Sequence, residues 1–203
     1  DRGGAETMIM NLYRKIDRNK IQFDFLCMKP GEHHYDKEII ELGGRILHIN
    51  PPRKVGAIRH IKEIIWAIHQ YDPFVAVHAH TLFHSGLVAF AAFLAGADKR
   101  ICHSHSTSNV GANKPFRKIY FSIMKKLIRI FATDMIACGH EAGTYLFGKR
   151  AVESGKVIIF PNAVDIKKYE ILTYDDALYL KRSLGLPEEA TIIGHVGRFA
   201  KPK

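Results

Sequence analysis

Apolar residues recur along the chain with two periods. Within residues 57–70, Ile58, Ile61, Ile65 and Ile68 return at spacings of three and four, the stripe of an amphipathic helix. Met8, Ile9, Leu12 and Tyr13 repeat that spacing over residues 7–14, and shorter helices are predicted at 35–42, 141–147 and 178–184. Residues 85–95 are almost wholly apolar, as in a helix covered on both sides, and 115–131 reads as a long helix carrying Ile119, Ile123, Leu127 and Ile130. Between these segments lie short apolar runs that stop at Gly, Pro or polar residues, namely 21–28, 45–49, 74–80, 100–105, 133–138, 156–160 and 191–196, and these read as strands. Helices and strands alternating at such lengths argue for βαβ units, hence an α/β protein with a doubly wound parallel sheet.

Both ends modify that picture. The chain opens on Gly3-Gly4 and a helix, where a βαβ fold places a strand just before, so a first strand is expected to be missing. Residues 1–170 are expected to form a Rossmann-like domain. Residues 171–203 are expected to be a linker and the beginning of a second α/β domain, because no segment follows to cover strand 191–196. Such an unpaired strand is disordered, packs on the first domain, or pairs with a neighbouring chain, which makes an oligomer one expected outcome.

The 203 residues are 47% hydrophobic and 25% charged, which supports a real core and excludes collagen-like, disordered and coiled-coil classes. No apolar run approaches the ~20 residues of a membrane span and no signal-peptide pattern opens the chain, so a cytoplasmic protein is expected. Cys27, Cys102 and Cys138 are odd in number and widely spaced within apolar runs, and they read as buried thiols rather than a disulfide framework or zinc site. A net charge of +10 attracts phosphates, anionic lipid surfaces or nucleic acid. Helix 115–131, with Lys114, Lys118, Lys125 and Arg129, is either a core helix with a charged outer face or a surface helix that meets an anionic membrane at the inner face of the cell. Phe116, Tyr120 and Phe121 form no spaced stacking platform and no helix-turn-helix is present, so no nucleic-acid partner is expected.

In an open parallel sheet, ligands bind at the carboxyl ends of the strands, which singles out the polar tips of the apolar runs. His78 and His80 lie two apart and share a face, as do His103 and His105. Paired imidazoles can ligate a metal, but neither strand end supplies a carboxylate and Asp72 precedes its strand, so no metal is expected. His105, followed by Ser106, Thr107 and Ser108, is the best placed to hydrogen-bond a substrate hydroxyl or stabilise developing charge. Gly3 and Gly4 would let a phosphate approach the N–H groups at a helix start. Arg198 and Lys203 are either a clamp for a diphosphate or a solvated basic tail. Two rivals stay open at this stage: a metal-dependent hydrolase built on the paired histidines, and a nonenzymatic module for anionic surfaces.

Gly3-Gly4-Ala5-Glu6-Thr7, Val77-His78-Ala79-His80, His103-Ser104-His105-Ser106, Phe160-Pro161-Asn162-Ala163-Val164-Asp165 and Gly194-His195-Val196-Gly197-Arg198-Phe199 through Lys203 occur in an order that resembles glycosyltransferase family 4. The resemblance implies a GT-B architecture, in which an acceptor-side and a donor-side Rossmann-like domain face each other across a cleft. It implies a retaining hexosyltransferase of polysaccharide or glycolipid biosynthesis that uses a nucleotide diphosphate-sugar and a glycan or lipid-linked acceptor, with no cofactor and no obligatory metal. By motif match, Gly3 and Gly4 lie near the donor phosphates, His105 contacts the transferred sugar, and Arg198 with Lys203 neutralises the leaving diphosphate. His80, Ser106 and Asn162 are further cleft residues on the same basis. Ala163 stands where such sequences commonly have glycine, and their glutamate-rich segment is expected beyond Lys203, so the fragment alone is expected to be inactive.

Overall fold

The computed structural model of the chain describes residues 3–71, 73–108, 115–164, 166 and 173–194. It divides into two compact units, Asp1–Asn162 and Ala163–Lys203. In the first, helix α1 (Gly4–Lys15), strand β1 (Phe25–Cys27), α2 (Asp36–Glu41), β2 (Ile46–His48), α3 (Pro52–Val55) and α4 (Ala57–Gln70) lead to β3 (Ala76–Ala79). They are followed by α5 (Ser85–Leu94), β4 (Lys99–Ser104), α6 (Pro115–Phe131), β5 (Asp134–Ala137), α7 (His140–Phe147), α8 (Lys149–Glu153) and β6 (Val157–Ile159). Every strand pairing is parallel, in a two-stranded sheet β1-β2 and a four-stranded sheet β3-β4-β5-β6. Neighbours in the larger sheet are neighbours in sequence, so each joining helix crosses back over the sheet, the βαβ topology expected from the alternation.

Side-chain alternation decides which face of the larger sheet is the core. Cys102 and Met135 pack with Phe83 from the turn before α5 and with Leu87, Phe121, Met124, Ile128 and Leu146 from α5, α6 and α7. Ala137 and Val157 pack against Ala142, next to Val152 from α8. The helices α5 and α6 approach closely because Gly86 has no side chain, and a Cβ there would lie 2.6 Å from the Met124 carbonyl oxygen. Ile64, Ala67 and Ile68 of α4 join Ala91 and Ala92 of α5, with Leu47 and Val77 nearby, so this cluster ties the two sheets together. Met10 and Tyr13 of α1 pack on Tyr35 and Ile39, and Arg14 Nη2 donates to Glu38 Oε2 at 2.7 Å across the same contact.

The second unit contains helix α9 (Tyr174–Ser183), begun by a capping box in which Thr173 Oγ1 accepts from the Asp176 N–H and the Asp176 side chain accepts from the Thr173 N–H. Of the predicted strand at 191–196, residues 191–194 have no strand conformation, and the remainder lies outside the described residues. The helices at 57–70 and 115–131 form over the predicted residues; β4 keeps the predicted length shifted by one residue, and the other strands are shorter than their apolar runs. The short helices α3 and α8 were not expected, since four or five residues are too few to show a helical period. Of the three thiols, only Cys102 is buried, which pushes its pKa up to about 12; Cys27 and Cys138 are half-buried, and all three are free.

The outer face of α6 is a further difference from the charged face expected of a core helix. Phe121, Met124 and Ile128 enter the core, while Phe116, Ile119, Tyr120, Ile123 and Ile130 remain exposed. These positions recur at spacings of three and four and form a second apolar stripe, bordered by Lys118, Lys126 and Arg129.

Candidate functional site

Strands β3 and β4 pair with His78 opposite Ile101, so their carboxyl ends lie side by side and their polar tips meet. The His78 and His80 rings are 4.1 Å apart and those of His103 and His105 4.0 Å, as expected for residues sharing a face. Across the strands His78 stacks on His103 at 5.4 Å and 9°, and His80 lies 5.2 Å from His103 and 5.1 Å from His105. His80 Nδ1 and His105 Nε2 are 2.8 Å apart, a hydrogen bond in which one ring supplies the N–H and the other its lone pair.

The cluster is held uncharged. Burial first, and then neighbouring histidines, lower the pKa of His80 to about 2 and that of His103 to about 3. His78 keeps solvent contact, yet burial and His105 lower it to about 4. Burial lowers His105 as well, opposed by the Glu6 carboxylate of α1. Both His103 ring nitrogens and His105 Nδ1 are buried without a hydrogen-bond partner among the described residues.

The turn after β3 is pinned from behind. The Thr81 N–H donates to Ser85 Oγ at 3.3 Å, and Leu82 takes a left-handed φ of 53°, a conformation that costs a non-glycine residue on the order of 1 kcal/mol or more. A second histidine pair supports it. Since the Asn50 carbonyl can only accept, His60 Nδ1 donates to it at 2.6 Å; with neutral rings, His60 Nε2 then accepts from His84 Nε2 at 2.9 Å. His84 Nδ1 is left to accept from the Thr81 hydroxyl at 3.3 Å.

The glycine pair stands at the start of α1. Gly3 is the N-cap and Gly4 the first helical residue, with no side-chain cap on the helix N–H groups. A Cβ on Gly4 would meet nothing within 4 Å, whereas one on Gly3 would collide with Glu6 Oε2, so the approach is open over Gly4 and bordered at Gly3 by the Glu6 carboxylate. Glu6, two residues on, is near enough to act on His105 electrostatically, which puts the helix start and the histidine cluster on one side of the unit. At the end of β6, Phe160 presents its ring edge-on to His103 at 6.5 Å, and Asn162 follows, exposed. Half-buried Ser106 donates to the Ser108 carbonyl at 2.8 Å.

The structure thus brings His80 and His105 together at the sheet's carboxyl edge with the glycine pair on the same side, and Asn162 follows β6, past Phe160, whose ring reaches His103. Arg198 and Lys203 lie outside the described residues. A hollow lined by Thr107, His140, Glu141, Thr144 and Tyr145 adjoins the end of β4. His140 and Glu141 were missed in the sequence, although they follow β5 and the strand-tip rule that selected His105 selects them as well.

Comparison with known proteins gives three findings. The family described as Glycosyltransferase Family 4 matches residues 2–168. EpsF of Bacillus subtilis (strain 168), whose name is that of a glycosyltransferase, is 41% identical over 204 residues, covering 100% of this chain and 53% of EpsF. The capsular polysaccharide biosynthesis glycosyltransferase CapH of Staphylococcus aureus is 27% identical over 154 residues, covering 74% of this chain and 41% of CapH. The chain therefore spans about half the length of these relatives. Among solved structures, Anabaena HepE in complex with UDP superposes with a TM-score of 0.64 at 18% identity, over 91% of this chain and 47% of that one. HepE in complex with UDP and glucose gives 0.63 at 16%, over the same shares. At that identity the likeness is one of fold.

Proposed function

Because the chain belongs to glycosyltransferase family 4 and has the parallel α/β fold of half a GT-B enzyme, we propose that it forms the acceptor-side domain of a retaining hexosyltransferase. The whole enzyme transfers a sugar from a nucleotide diphosphate-sugar to a glycan or lipid-linked acceptor. The observation that carries this reading is the neutral His80–His105 pair, hydrogen-bonded at 2.8 Å, on the same side of the sheet edge as an uncapped helix start. Family membership replaces the hydrolase and binding-module alternatives. EpsF and CapH point to polysaccharide assembly, and HepE in complex with UDP and glucose makes a uridine diphosphate-hexose the first donor to test.

The chemistry follows from where charge develops. When the bond from the anomeric carbon to the diphosphate breaks, negative charge grows on the departing oxygens and positive charge on the sugar ring. The N–H groups at the start of α1, reached over Gly4, meet the phosphates, and Arg198 with Lys203 provides fixed cations for the leaving group. His105, held uncharged, hydrogen-bonds the sugar without adding a positive charge beside a cationic transition state. His80 orients the His105 ring through their hydrogen bond, while Ser106 and Asn162 border the cleft. The histidines' neutrality thus serves the reaction, and the donor's phosphates are met by backbone and side-chain cations.

The second stripe of α6 supports the membrane partner. Phe116, Ile119, Ile123 and Ile130 are exposed beside Lys118, Lys126 and Arg129, apolar and basic groups arranged as an anionic lipid surface takes them. No described helix is long and apolar enough to cross a membrane; the contact proposed for α6 is a peripheral one, at the cytoplasmic face.

The experiment is a nucleotide-sugar screen on the full-length protein, following release of nucleotide diphosphate and the anomeric configuration of the product. Acceptor-dependent release with retained configuration is expected. Inversion, or no acceptor-dependent release from any donor, would refute the reading.

A further inference from the structure

Three of the clustered imidazoles offer more than the transfer reaction uses. One nitrogen from each of His78, His80 and His103 lies within 4.8 Å of the others. His103 is only 2% exposed, and both its ring nitrogens lack a partner among the described residues. Leaving a buried polar nitrogen unsatisfied costs about 1–3 kcal/mol, so such a group calls for a ligand. Nothing proposed for sugar transfer uses His78 or His103.

We propose that His78, His80 and His103 form a binding site for a divalent transition-metal ion of the zinc type. Metals looked excluded in the sequence for want of a carboxylate, but a three-imidazole set binds zinc without one and leaves a fourth position open. Zinc–nitrogen distances of about 2.0–2.1 Å require the three nitrogens to close by roughly 1 Å or more, which side-chain rotation supplies. The supporting features of such a site are present. Neutral rings keep a lone pair for the ion, His78 is exposed and gives it a way in, and His105 Nε2 bonds His80 Nδ1 at 2.8 Å, which orients that ring and leaves its Nε2 for the ion. A bound ion would cross-link the carboxyl ends of β3 and β4 and draw His80 from its role beside the sugar, so zinc is expected to inhibit transfer.

The test is calorimetric titration of the full-length protein, free of any affinity tag, with zinc chloride, alongside the visible absorption of the cobalt form. Wild type is expected to bind one ion per chain and to give the intense band of tetrahedral cobalt. His78→Ala, at an exposed position that folding tolerates, and His103→Gln should each lower the affinity about tenfold or more and lose the band, while His34→Ala on another element should match wild type. Equal affinity in all four proteins, or no one-to-one binding by wild type, would overturn the site. Because the readout is binding, either result leaves the sugar-transfer reading to its own experiment.

Discussion

His84 shows how a buried side chain here sets a pH limit on stability. It sits in a chain of hydrogen bonds running from the Thr81 hydroxyl through His84 and His60 to the Asn50 carbonyl, where a charged His84 ring is poorly solvated. Burial, and then His60, lower its pKa from the ordinary 6.5 to about 4. The unfolded chain therefore binds this proton first, so the contribution to stability is full above pH 6.5 and is lost as the pH falls towards 4. The loss is on the order of 3 kcal/mol at this site. Urea unfolding at several pH values should show the decline, and His84→Gln, which does not titrate, should make it less steep, the lowered histidines of the cluster supplying the rest. An equal slope in wild type and variant would contradict the account. At this scale the sequence was informative within each strand and silent between strands. That His78 faces with His80, and His103 with His105, follows from a period of two. That His80 bonds His105 depends on β3 and β4 being neighbours in register, which no local pattern encodes.

At the scale of elements, α5 and α6 carry the most consequential packing. Gly86 lets the two helices touch, and Gly86→Val would force its side chain against the Met124 backbone. The expected cost is about 1–3 kcal/mol, a fall in Tm of roughly 2–4 °C for each kcal/mol at this size, readable by calorimetry. A variant as stable as wild type would mean that the helices can separate freely. On the other side of α6, Ile119→Glu with Ile123→Glu should abolish binding to vesicles containing phosphatidylserine while leaving the fold intact, because both residues are exposed. Wild-type binding should weaken as salt is raised. Retained binding by the double variant would remove the membrane from the account. The apolar excess of residues 115–131 was visible in the sequence; its division into a core stripe and an exposed stripe was not, since Phe121, Met124 and Ile128 compete with Ile119, Ile123 and Ile130 for the same inward role until the sheet position selects one set.

For the whole molecule, strands of three to six residues carry helices on one face and offer their polar tips at one edge, and that edge is where we propose that sugar transfer takes place. The alternation of apolar runs was enough to read the parallel α/β architecture, because each run is covered on at least one face and so loses its polar residues. The gap between the β1-β2 and β3-β6 sheets could not be read in the same way: pairing partners are set by topology rather than by composition. The central claim is that His105 acts on the transferred sugar. It is tested most directly by comparing His105→Ala with wild type in the full-length enzyme, measuring nucleotide diphosphate release at saturating donor and acceptor. The account predicts that kcat falls by about 10²-fold or more with the folded structure retained; a kcat within a few-fold of wild type would contradict it.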